Sequence, residues 1–223
     1  MSLLKRIRYS FINIILKIII YPLVRLIWID KVEGKRNIPL SGGAILVSNH
    51  ESYFDFICLS AISNRPIHFM AGEVFFKKSL WRNIMLATEQ IKIDRYGPAK
   101  QESAERAIKN AVDIIKRGEL FGIYPEGTRS PNGNLQKAFT GVAKIILQTK
   151  ALVIPIGMIG TYEIMSRHES RPHFRKCIIK VGQPIGIDYD LDATDNLAKQ
   201  KITDLIMNKI AKLTGEQYIF TVE

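Results

Sequence analysis

Several features that would assign a chain to a common functional class are missing from these 223 residues. Cysteine occurs only as Cys58 and Cys177, with no CxxC or Cys/His spacing, so neither a disulfide framework nor a zinc site is indicated. No HExxH pair occurs among the histidines, and no serine stands in a GxSxG elbow. Repeats and low-complexity linkers are also missing. The sequence therefore predicts no metal centre and no serine-hydrolase site.

Acidic residues are too few to balance the basic ones. There are 32 Lys and Arg against 21 Asp and Glu, which gives a net charge of +11. Such a surface attracts anions, so nucleic acid, an anionic membrane and phosphate-bearing substrates all fit the charge. Neither an aromatic-interleaved basic stripe nor a recognised nucleic-acid motif occurs. We therefore expect a membrane surface and no nucleic acid among the partners.

The first thirty residues are apolar, but they contain no long uninterrupted hydrophobic run. A spanning helix needs about 20 predominantly apolar residues, and Lys17 and Arg25 divide this segment, while Pro22 favours a bend or two shorter helices. No small-residue cleavage site follows, which argues against a removed signal peptide. We expect residues 1–30 to form a helical monotopic membrane anchor. A single tilted span and a helix that caps a soluble core remain alternatives. The anchor's other basic residues, expected at the lipid headgroups, are Lys5, Arg6 and Arg8.

Beyond residue 30, short apolar runs alternate with amphipathic ones, which is typical of a sheet flanked by helices. We predict that residues 31–223 form one α/β domain with a single mixed sheet. The clearest helices are expected at residues 99–116 and 195–213, the second with Thr194 as its cap and Gly215 as its stop. The predicted strands are residues 44–48, 67–71, 90–94, 120–124, 152–157 and 177–181.

The first candidate site is the segment NHESYFD, residues 49–55, directly after a predicted strand. Five residues along one helix rotate by about 500°, so His50 and Asp55 could not face each other from a single helix. His50 is therefore expected in the loop and Asp55 in the first turn of the next helix. There the carboxylate could hold one imidazole nitrogen and leave the other as a base. Alternatively, Ser52 and Asp55 form only an S-x-x-D helix cap.

The second candidate site is PEGTRS, residues 125–130, which also follows an apolar predicted strand. Pro125 and Gly127 indicate a tight turn, in which backbone N–H groups can approach an anion. Arg129 could then bind a phosphate through two parallel hydrogen bonds. An ordinary turn with a solvated arginine is the alternative.

Together, NHxxxxD and PEGTRS about seventy residues later resemble the signature of the glycerolipid acyltransferases, which include bacterial 1-acylglycerol-3-phosphate acyltransferases. The resemblance covers most of residues 32–160. It implies that His50 is the catalytic base and that Asp55 orients it. It also implies that residues 126–129 bind the phosphate of the acceptor. These four are Glu126, Gly127, Thr128 and Arg129.

Two further blocks are similar to that family. Arg95 ends the segment Ile93-Asp94-Arg95, whose arginine contributes to the family's phosphate site, although Glu89 and Lys92 replace the usual glycine and aromatic residue of this block. Residues 153–156 match an apolar block with an internal proline. The resemblance thus adds Arg95 to the expected binding residues.

The implied reaction moves a fatty acyl group from acyl-ACP or acyl-CoA to the free hydroxyl of 1-acylglycerol-3-phosphate, which gives phosphatidic acid for phospholipid synthesis. Such direct transfer from a thioester needs neither a metal nor an organic cofactor. We expect a membrane-associated enzyme on the cytoplasmic face of the cell membrane. Another acceptor, such as glycerol-3-phosphate or a different lysolipid, and a non-catalytic basic membrane-binding protein are the alternatives. Residues 167–176 are taken as a solvated basic loop, with docking of the acyl donor as the alternative.

Overall fold

The computed structural model describes residues 3–189, 191 and 194–221, without the side chains of residues 3, 5, 6 and 8. Its centre is a seven-stranded sheet in the order β1-β7-β6-β2-β5-β3-β4. β1 and β7 pair in parallel with each other, and β7 pairs antiparallel to β6, so this edge runs opposite to the other five strands. The predicted single mixed sheet is confirmed. The strands are β1 Ile29–Glu33, β2 Ala44–Ser48, β3 Ile67–Gly72, β4 Ile91–Ile93, β5 Leu120–Ile123, β6 Leu152–Ile159 and β7 Cys177–Val181.

The sequence analysis missed one strand, β1. Its residues, Ile-Asp-Lys-Val-Glu, carry three charges, so the apolar pattern of a central strand is absent. β1 lies at the edge of the sheet, where it pairs only with β7 among the described strands and two of its residues are exposed. An edge strand needs no continuous apolar run, because part of it faces water. The six predicted strands are all present, with bounds that differ by at most two residues.

Helices cover both faces of the sheet and create two cores. β2 shows the division, because Ile45 and Val47 contribute to the core beneath α6, α7 and α9, whereas Ala44 and Leu46 contribute to the core beneath α2 and α3. Successive residues of a strand point to opposite faces, and burial on both faces explains why this strand is wholly apolar up to Ser48. The helices are α1 Leu3–Ile15, α2 Tyr21–Trp28, α3 Phe54–Ile62, α4 Val74–Lys77, α5 Ser79–Ala87, α6 Lys100–Lys116, α7 Gly141–Thr149, α8 Thr161–Ile164 and α9 Asn196–Thr214.

The N-terminal segment forms α1 and α2, joined by a π-helical turn at Leu16–Ile20. Pro22 lies in the first turn of α2, immediately after the π-helical turn. The backbone is helical at Ile15, Ile20 and Tyr21, so the segment continues as one helix through this turn and does not divide into two separate helices. Residues Tyr9–Trp28 are long and apolar enough to cross a membrane, a criterion that core helices and signal sequences can also meet. The anchor's Lys5, Arg6 and Arg8 have side chains outside the described part of the chain.

This helical segment has two apolar faces. On one face, Val24 is buried in the core beneath α2 and α3, and the Asn13 side chain donates to the Ala87 carbonyl oxygen at 2.8 Å. On the other face, apolar side chains recur at intervals of three and four residues, which places them in one stripe. The segment therefore packs on the domain with one face and exposes an apolar stripe to solvent with the other. The exposed stripe consists of Leu4, Ile7, Phe11, Ile14 and Ile18.

The cap of α9 differs from the prediction by one residue. Asp195, and not Thr194, is the N-cap, and its Oδ1 accepts a hydrogen bond from the Leu197 N–H at 2.8 Å. The helix begins at Asn196, so Asp195 is the residue whose carboxylate reaches the unpaired N–H groups of the first turn. Gly215 ends the helix with φ of 86°, as predicted.

Truncating Phe121 tests the packing of the sheet. Phe121 is 0% exposed at the centre of β5, so Phe121→Ala leaves a cavity and is expected to lower the free energy of unfolding by about 3–5 kcal/mol. Leu197→Ala, at an exposed position of α9, is the matched control and should change it by about 0.5 kcal/mol or less. Chemical denaturation in detergent provides the measurement. Equal effects of the two substitutions would contradict the described core.

Candidate active site

The two loops that carry the motifs lie side by side at the carboxyl ends of neighbouring strands. β2 and β5 are adjacent and parallel, so the chain leaves both strands on the same side of the sheet. Residues 49–53 follow β2, and residues 124–140 follow β5. The Ser130 N–H donates to the His50 carbonyl oxygen at 2.7 Å, which joins the two loops directly.

His50 and Asp55 are in contact, in the arrangement expected from their spacing. His50 lies in the loop, and Asp55 lies in the first turn of α3. The distance between His50 Nδ1 and Asp55 Oδ2 is 2.7 Å. The Asp55 side chain is 0% exposed, whereas the His50 side chain is 11% exposed. A carboxylate acceptor at Nδ1 places the imidazole proton there, so Nε2 keeps its lone pair.

A single oxygen of Asp55 binds both the histidine and the loop that carries it. Asp55 Oδ2 also accepts the backbone N–H groups of Glu51 and Ser52, each at 2.8 Å. The Ser52 hydroxyl accepts the Phe54 N–H at 3.1 Å, but the N-cap of α3 is Tyr53, whose side chain forms no cap hydrogen bond. The Asp55 side chain therefore binds the loop before α3 and the imidazole together.

The His50 ring is also held by aromatic stacking. Its centroid lies 4.1 Å from that of Tyr124, with an angle of 15° between the planes. Tyr124 stacks in turn on Phe69 at 5.7 Å and 7°. Phe69 can approach because its sheet partner is Gly122, where a Cβ would come within 2.2 Å of the Phe69 ring. The missing side chain at Gly122 thus makes room for the stack that supports the imidazole.

Glu126, which the resemblance assigns to the phosphate site, is a buried residue of the second loop. It is 2% exposed, and its Oε1 and Oε2 accept the backbone N–H groups of His50 at 2.9 Å and Gln136 at 3.0 Å. Burial raises the pKa of Glu126 to about 8, although these two hydrogen bonds oppose the shift. Glu126 therefore joins the loop after β5 to the loop after β2, and it is not among the described residues that line the cavity beside His50.

Gly127 shapes the turn. Its φ of +66° lies in the left-handed region that favours glycine, and its N–H donates to the Tyr124 carbonyl oxygen at 3.0 Å. An added Cβ would come within 3.1 Å of the Phe139 ring. The described lining of the cavity includes Thr128 and Arg129 but neither Gly127 nor Glu126, and the phosphate contact expected of Gly127 stays a prediction.

A cavity of about 270 Å³ opens beside the exposed edge of His50. Three of its lining residues are arginines, Arg95, Arg129 and Arg167, and one is a carboxylate, Glu73. This wall therefore carries an excess of positive charge close to the imidazole. Such an excess is suited to an anionic group such as a phosphate.

The Arg129 guanidinium is held against an aromatic ring beside the cavity. Its guanidinium carbon lies 3.4 Å from the centroid of the Tyr53 ring, in a cation–π contact. Its Nη1 is buried and has no hydrogen-bond partner among the described residues. Burial lowers the pKa of Arg129, and the charges of Arg167 and Arg95 lower it further. An anion in the cavity would satisfy the buried donor and relieve this repulsion.

Comparison with known families shows to which family the chain belongs. Residues 30–159, more than half of the chain, match the family described as Acyltransferase. The chain belongs to this acyltransferase family. Both motif loops lie inside the matched region.

Individual relatives of this acyltransferase are consistent with the family match. It is 30% identical over 149 residues to the chloroplastic 1-acyl-sn-glycerol-3-phosphate acyltransferase LPAT1 of Arabidopsis thaliana, covering 66% of this chain and 39% of that protein. It is 30% identical over 131 residues to the 1-acyl-sn-glycerol-3-phosphate acyltransferase of Bacillus subtilis (strain 168), covering 58% and 62%. The matches thus span less than two thirds of the length of these relatives.

A solved structure shares the fold. The 1-acyl-sn-glycerophosphate (LPA) acyltransferase PlsC from Thermotoga maritima superimposes with a TM-score of 0.67 over 97% of both chains. The sequence identity is 19%, so this likeness concerns the fold alone.

Sequence reasoning missed two residues at this site. Arg167 was taken as part of a solvated loop, but it lines the cavity, and only the path of the chain after α8 brings it there. The Asn49 amide brackets Met158 of β6, since Nδ2 donates to its carbonyl oxygen at 2.9 Å and Oδ1 accepts its N–H at 2.8 Å. The position of Asn49 directly before His50 was the available signal. The Asn49 amide anchors the start of the loop after β2 to strand β6.

A second cavity of about 600 Å³ adjoins the first. It extends between the N-terminal helical segment, α3, β3 and α5, and its lining is mostly apolar. The two cavities have four lining residues in common, so they meet at one boundary beneath the aromatic stack. The shared residues are Phe56, Phe69, Met85 and Gln90.

The cysteines and the other histidine clusters belong to the structure around the site. Cys58 and Cys177 are both buried, with their sulfurs 4.0 Å apart, and the contact with Cys177 and burial both raise the pKa of the Cys58 thiol. Cys58 thus packs as a small apolar side chain. Among the described residues, His68, Glu89 and Glu119 are close enough to share a metal ion. Arg117 already contacts both carboxylates, at 3.8 and 2.9 Å.

The buried carboxyl groups predict a pH-dependent stability. Burial raises the pKa of Glu126 to about 8 and that of Glu51 to about 9, with the charge of Asp55 as a further cause in both. A folded state that holds protons more tightly than the unfolded state is most stable below the ordinary carboxyl pKa. The acyltransferase should therefore lose stability as pH rises from about 4.5 towards 8–9, because these groups must ionise while buried.

Thermal unfolding measured from pH 5 to pH 9 checks this dependence. Glu126→Gln keeps an oxygen acceptor without an ionisable group, so its loss of stability with rising pH should be smaller than that of the wild type. Glu105→Gln, on the exposed surface of α6, serves as the control and should follow the wild-type profile. A profile for Glu126→Gln as steep as that of the wild type would contradict the buried position of this acid.

Proposed function

We propose that this acyltransferase moves a fatty acyl group from acyl-ACP or acyl-CoA to the free hydroxyl of 1-acylglycerol-3-phosphate and so forms phosphatidic acid for phospholipid synthesis. One observation carries the proposal: the His50–Asp55 pair faces a cavity whose wall holds three arginines. The names of the relatives from Arabidopsis thaliana and Bacillus subtilis support the choice of acceptor.

His50 is the base in this proposal. A glycerol hydroxyl is a weak nucleophile near neutral pH, so its proton must be removed as the oxygen attacks the thioester carbonyl carbon. His50 Nε2 takes that proton while Asp55 Oδ2 stabilises the imidazolium through Nδ1–H. The tetrahedral intermediate then expels the thiolate, which takes up a proton, and the ester is formed. Direct transfer requires no acyl-enzyme.

The arginines position the acceptor. Arg129, with a buried donor that lacks a partner among the described residues, binds the phosphate, and Arg95 and Arg167 complete the cationic wall. Thr128 lies at the same wall, while Glu126 and Gly127 act through the shape of the loop. Fixing the phosphate turns a bimolecular encounter into an oriented one, which accelerates the reaction.

The second cavity and the N-terminal helical segment suit a lipid reaction. An apolar space of about 600 Å³ beside the site can shelter a fatty acyl chain from water. The exposed stripe on α1 offers an apolar surface to a bilayer, and the net charge of +11 suits an anionic cytoplasmic leaflet. We therefore assign the helical segment that ends at Trp28 to membrane anchoring and the chain from β1 onwards to catalysis. The boundary expected at residue 30 falls inside β1, which begins at Ile29.

Purified full-length protein can be assayed with long-chain acyl-ACP or acyl-CoA and a panel of acceptors that includes glycerol-3-phosphate and several lysolipids. Phosphatidic acid from 1-acylglycerol-3-phosphate is the expected main product. Preference for glycerol-3-phosphate or another lysolipid would reassign the acceptor. Transfer to none of them would refute the proposed activity.

His50→Ala should lower acyl transfer by at least about 100-fold, because the base is lost. Vesicle binding and the circular dichroism spectrum should stay as in the wild type, since the imidazole lies at the surface of the cavity. A variant that turns over at the wild-type rate would eliminate His50 as the base.

Arg129→Ala should lower kcat/KM for the phosphorylated acceptor by about 10- to 100-fold, the effect of losing a hydrogen bond to a charged group. Arg106→Ala, at an exposed position on α6, provides a matched loss of charge and should leave the rate unchanged. Steady-state kinetics with varied acceptor give the comparison. If both variants bind and use the acceptor normally, the phosphate site lies elsewhere.

A further inference from the structure

The loop between α8 and β7 carries more positive charge than its one acid can balance. This basic loop, residues 167–176, is exposed throughout. Its acid, Glu169, is already engaged by His173 at 2.7 Å and by the Ser166 N–H at 2.7 Å. The basic side chains form no ion pair with the described parts of the chain. They are Arg167, Arg171, Arg175 and Lys176.

One large aromatic side chain stands among these cations. Phe174 is 85% exposed and stacks on Trp28, with ring centroids 6.3 Å apart and planes at 6°. The Trp28 indole N–H donates to the His173 carbonyl oxygen at 3.0 Å. Covering an exposed phenyl ring of this kind with another apolar surface would be stabilising, because it removes the ring from water.

The position of this ring indicates what covers it. Trp28 is the last residue of α2, so Phe174 and its cations adjoin the end of the N-terminal helical segment, whose apolar stripe is also exposed. Aromatic side chains flanked by Lys and Arg suit the boundary between lipid headgroups and acyl chains. The basic loop therefore contacts the C-terminal end of the segment at Trp28, and the exposed stripe, which ends at Ile18, lies further along the same segment.

We propose that the basic loop is a second membrane-contact surface, in which Phe174 enters the headgroup boundary and Arg171 and Arg175 bind the phosphates of anionic lipids. The inference rests on the proposed reaction at a membrane surface and adds the orientation of the enzyme. Arg167, in the same loop, lines the cavity beside His50. Contact through the loop therefore turns the mouth of the cavity towards the leaflet that holds the lysolipid.

Binding of full-length protein to vesicles tests this surface without any substrate. The double variant R171Q/R175Q should bind vesicles of equal phosphatidylcholine and phosphatidylglycerol about tenfold or more weakly than the wild type, and with a smaller salt dependence. Its binding to pure phosphatidylcholine should be unchanged. Phe174→Ser should weaken binding to both vesicle types, because the lost contact is apolar.

The matched control is K109Q/K116Q, which removes two charges from exposed positions of α6, on the opposite face of the sheet. This control should bind both vesicle types as the wild type does. Equal binding by wild type and R171Q/R175Q, or an equal loss in the control, would overturn the proposal.

Two further outcomes separate this inference from its neighbours. If R171Q/R175Q binds vesicles normally but uses acyl-ACP poorly and acyl-CoA well, the loop docks an acidic carrier protein and the membrane assignment is wrong. If vesicle binding follows the proposal while wild-type protein transfers no acyl group, the proposed function fails and the membrane surface stands.

Discussion

The contact between His50 Nδ1 and Asp55 Oδ2 is the interaction on which the candidate site depends. Asp55 is fully buried, and its Oδ2 receives two backbone N–H groups as well as the imidazole. The two backbone N–H groups, which come from the loop before α3, hold this carboxylate in position, so the imidazole takes its orientation from a side chain in the first turn of α3. The same Asp55 oxygen therefore binds the backbone of the loop and orients the proposed base.

The remaining restraints on His50 come from outside its own motif. Glu126 and Ser130 bind the backbone N–H and carbonyl groups of His50, and Tyr124 stacks on its ring. The PEGTRS loop therefore positions the imidazole as well as presenting Arg129. This arrangement explains how a buried glutamate with a pKa of about 8 can matter to the site without touching the cavity. Its carboxyl group replaces hydrogen bonds that two backbone N–H groups would otherwise make to water.

Two adjoining cavities offer different surroundings to the phosphate and the acyl chain of the proposed substrates. The cationic cavity lies at the carboxyl ends of the strands, and the apolar cavity lies beneath the N-terminal helical segment, with Phe56 and Phe69 at their boundary. A phosphate and an acyl chain need opposite surroundings, one charged and one dry. His50 lines the first cavity, and the second adjoins it, an arrangement that suits transfer of a fatty acyl group to a phosphorylated acceptor. A membrane contact through α2 and the basic loop would supply that acceptor from the bilayer.

The α/β class, six of the seven strands, the helical N-terminal segment and the His50–Asp55 contact could be predicted from the sequence, because each depends on local patterns: apolar runs, helix periodicity and the rotation between residues five apart. β1 escaped prediction because an edge strand needs no apolar run. The burial of Glu126 and the arrival of Arg167 at the cavity were decided only by the tertiary structure. Each depends on the packing of chain segments distant in sequence, and a linear pattern of residue types contains no distance between such segments.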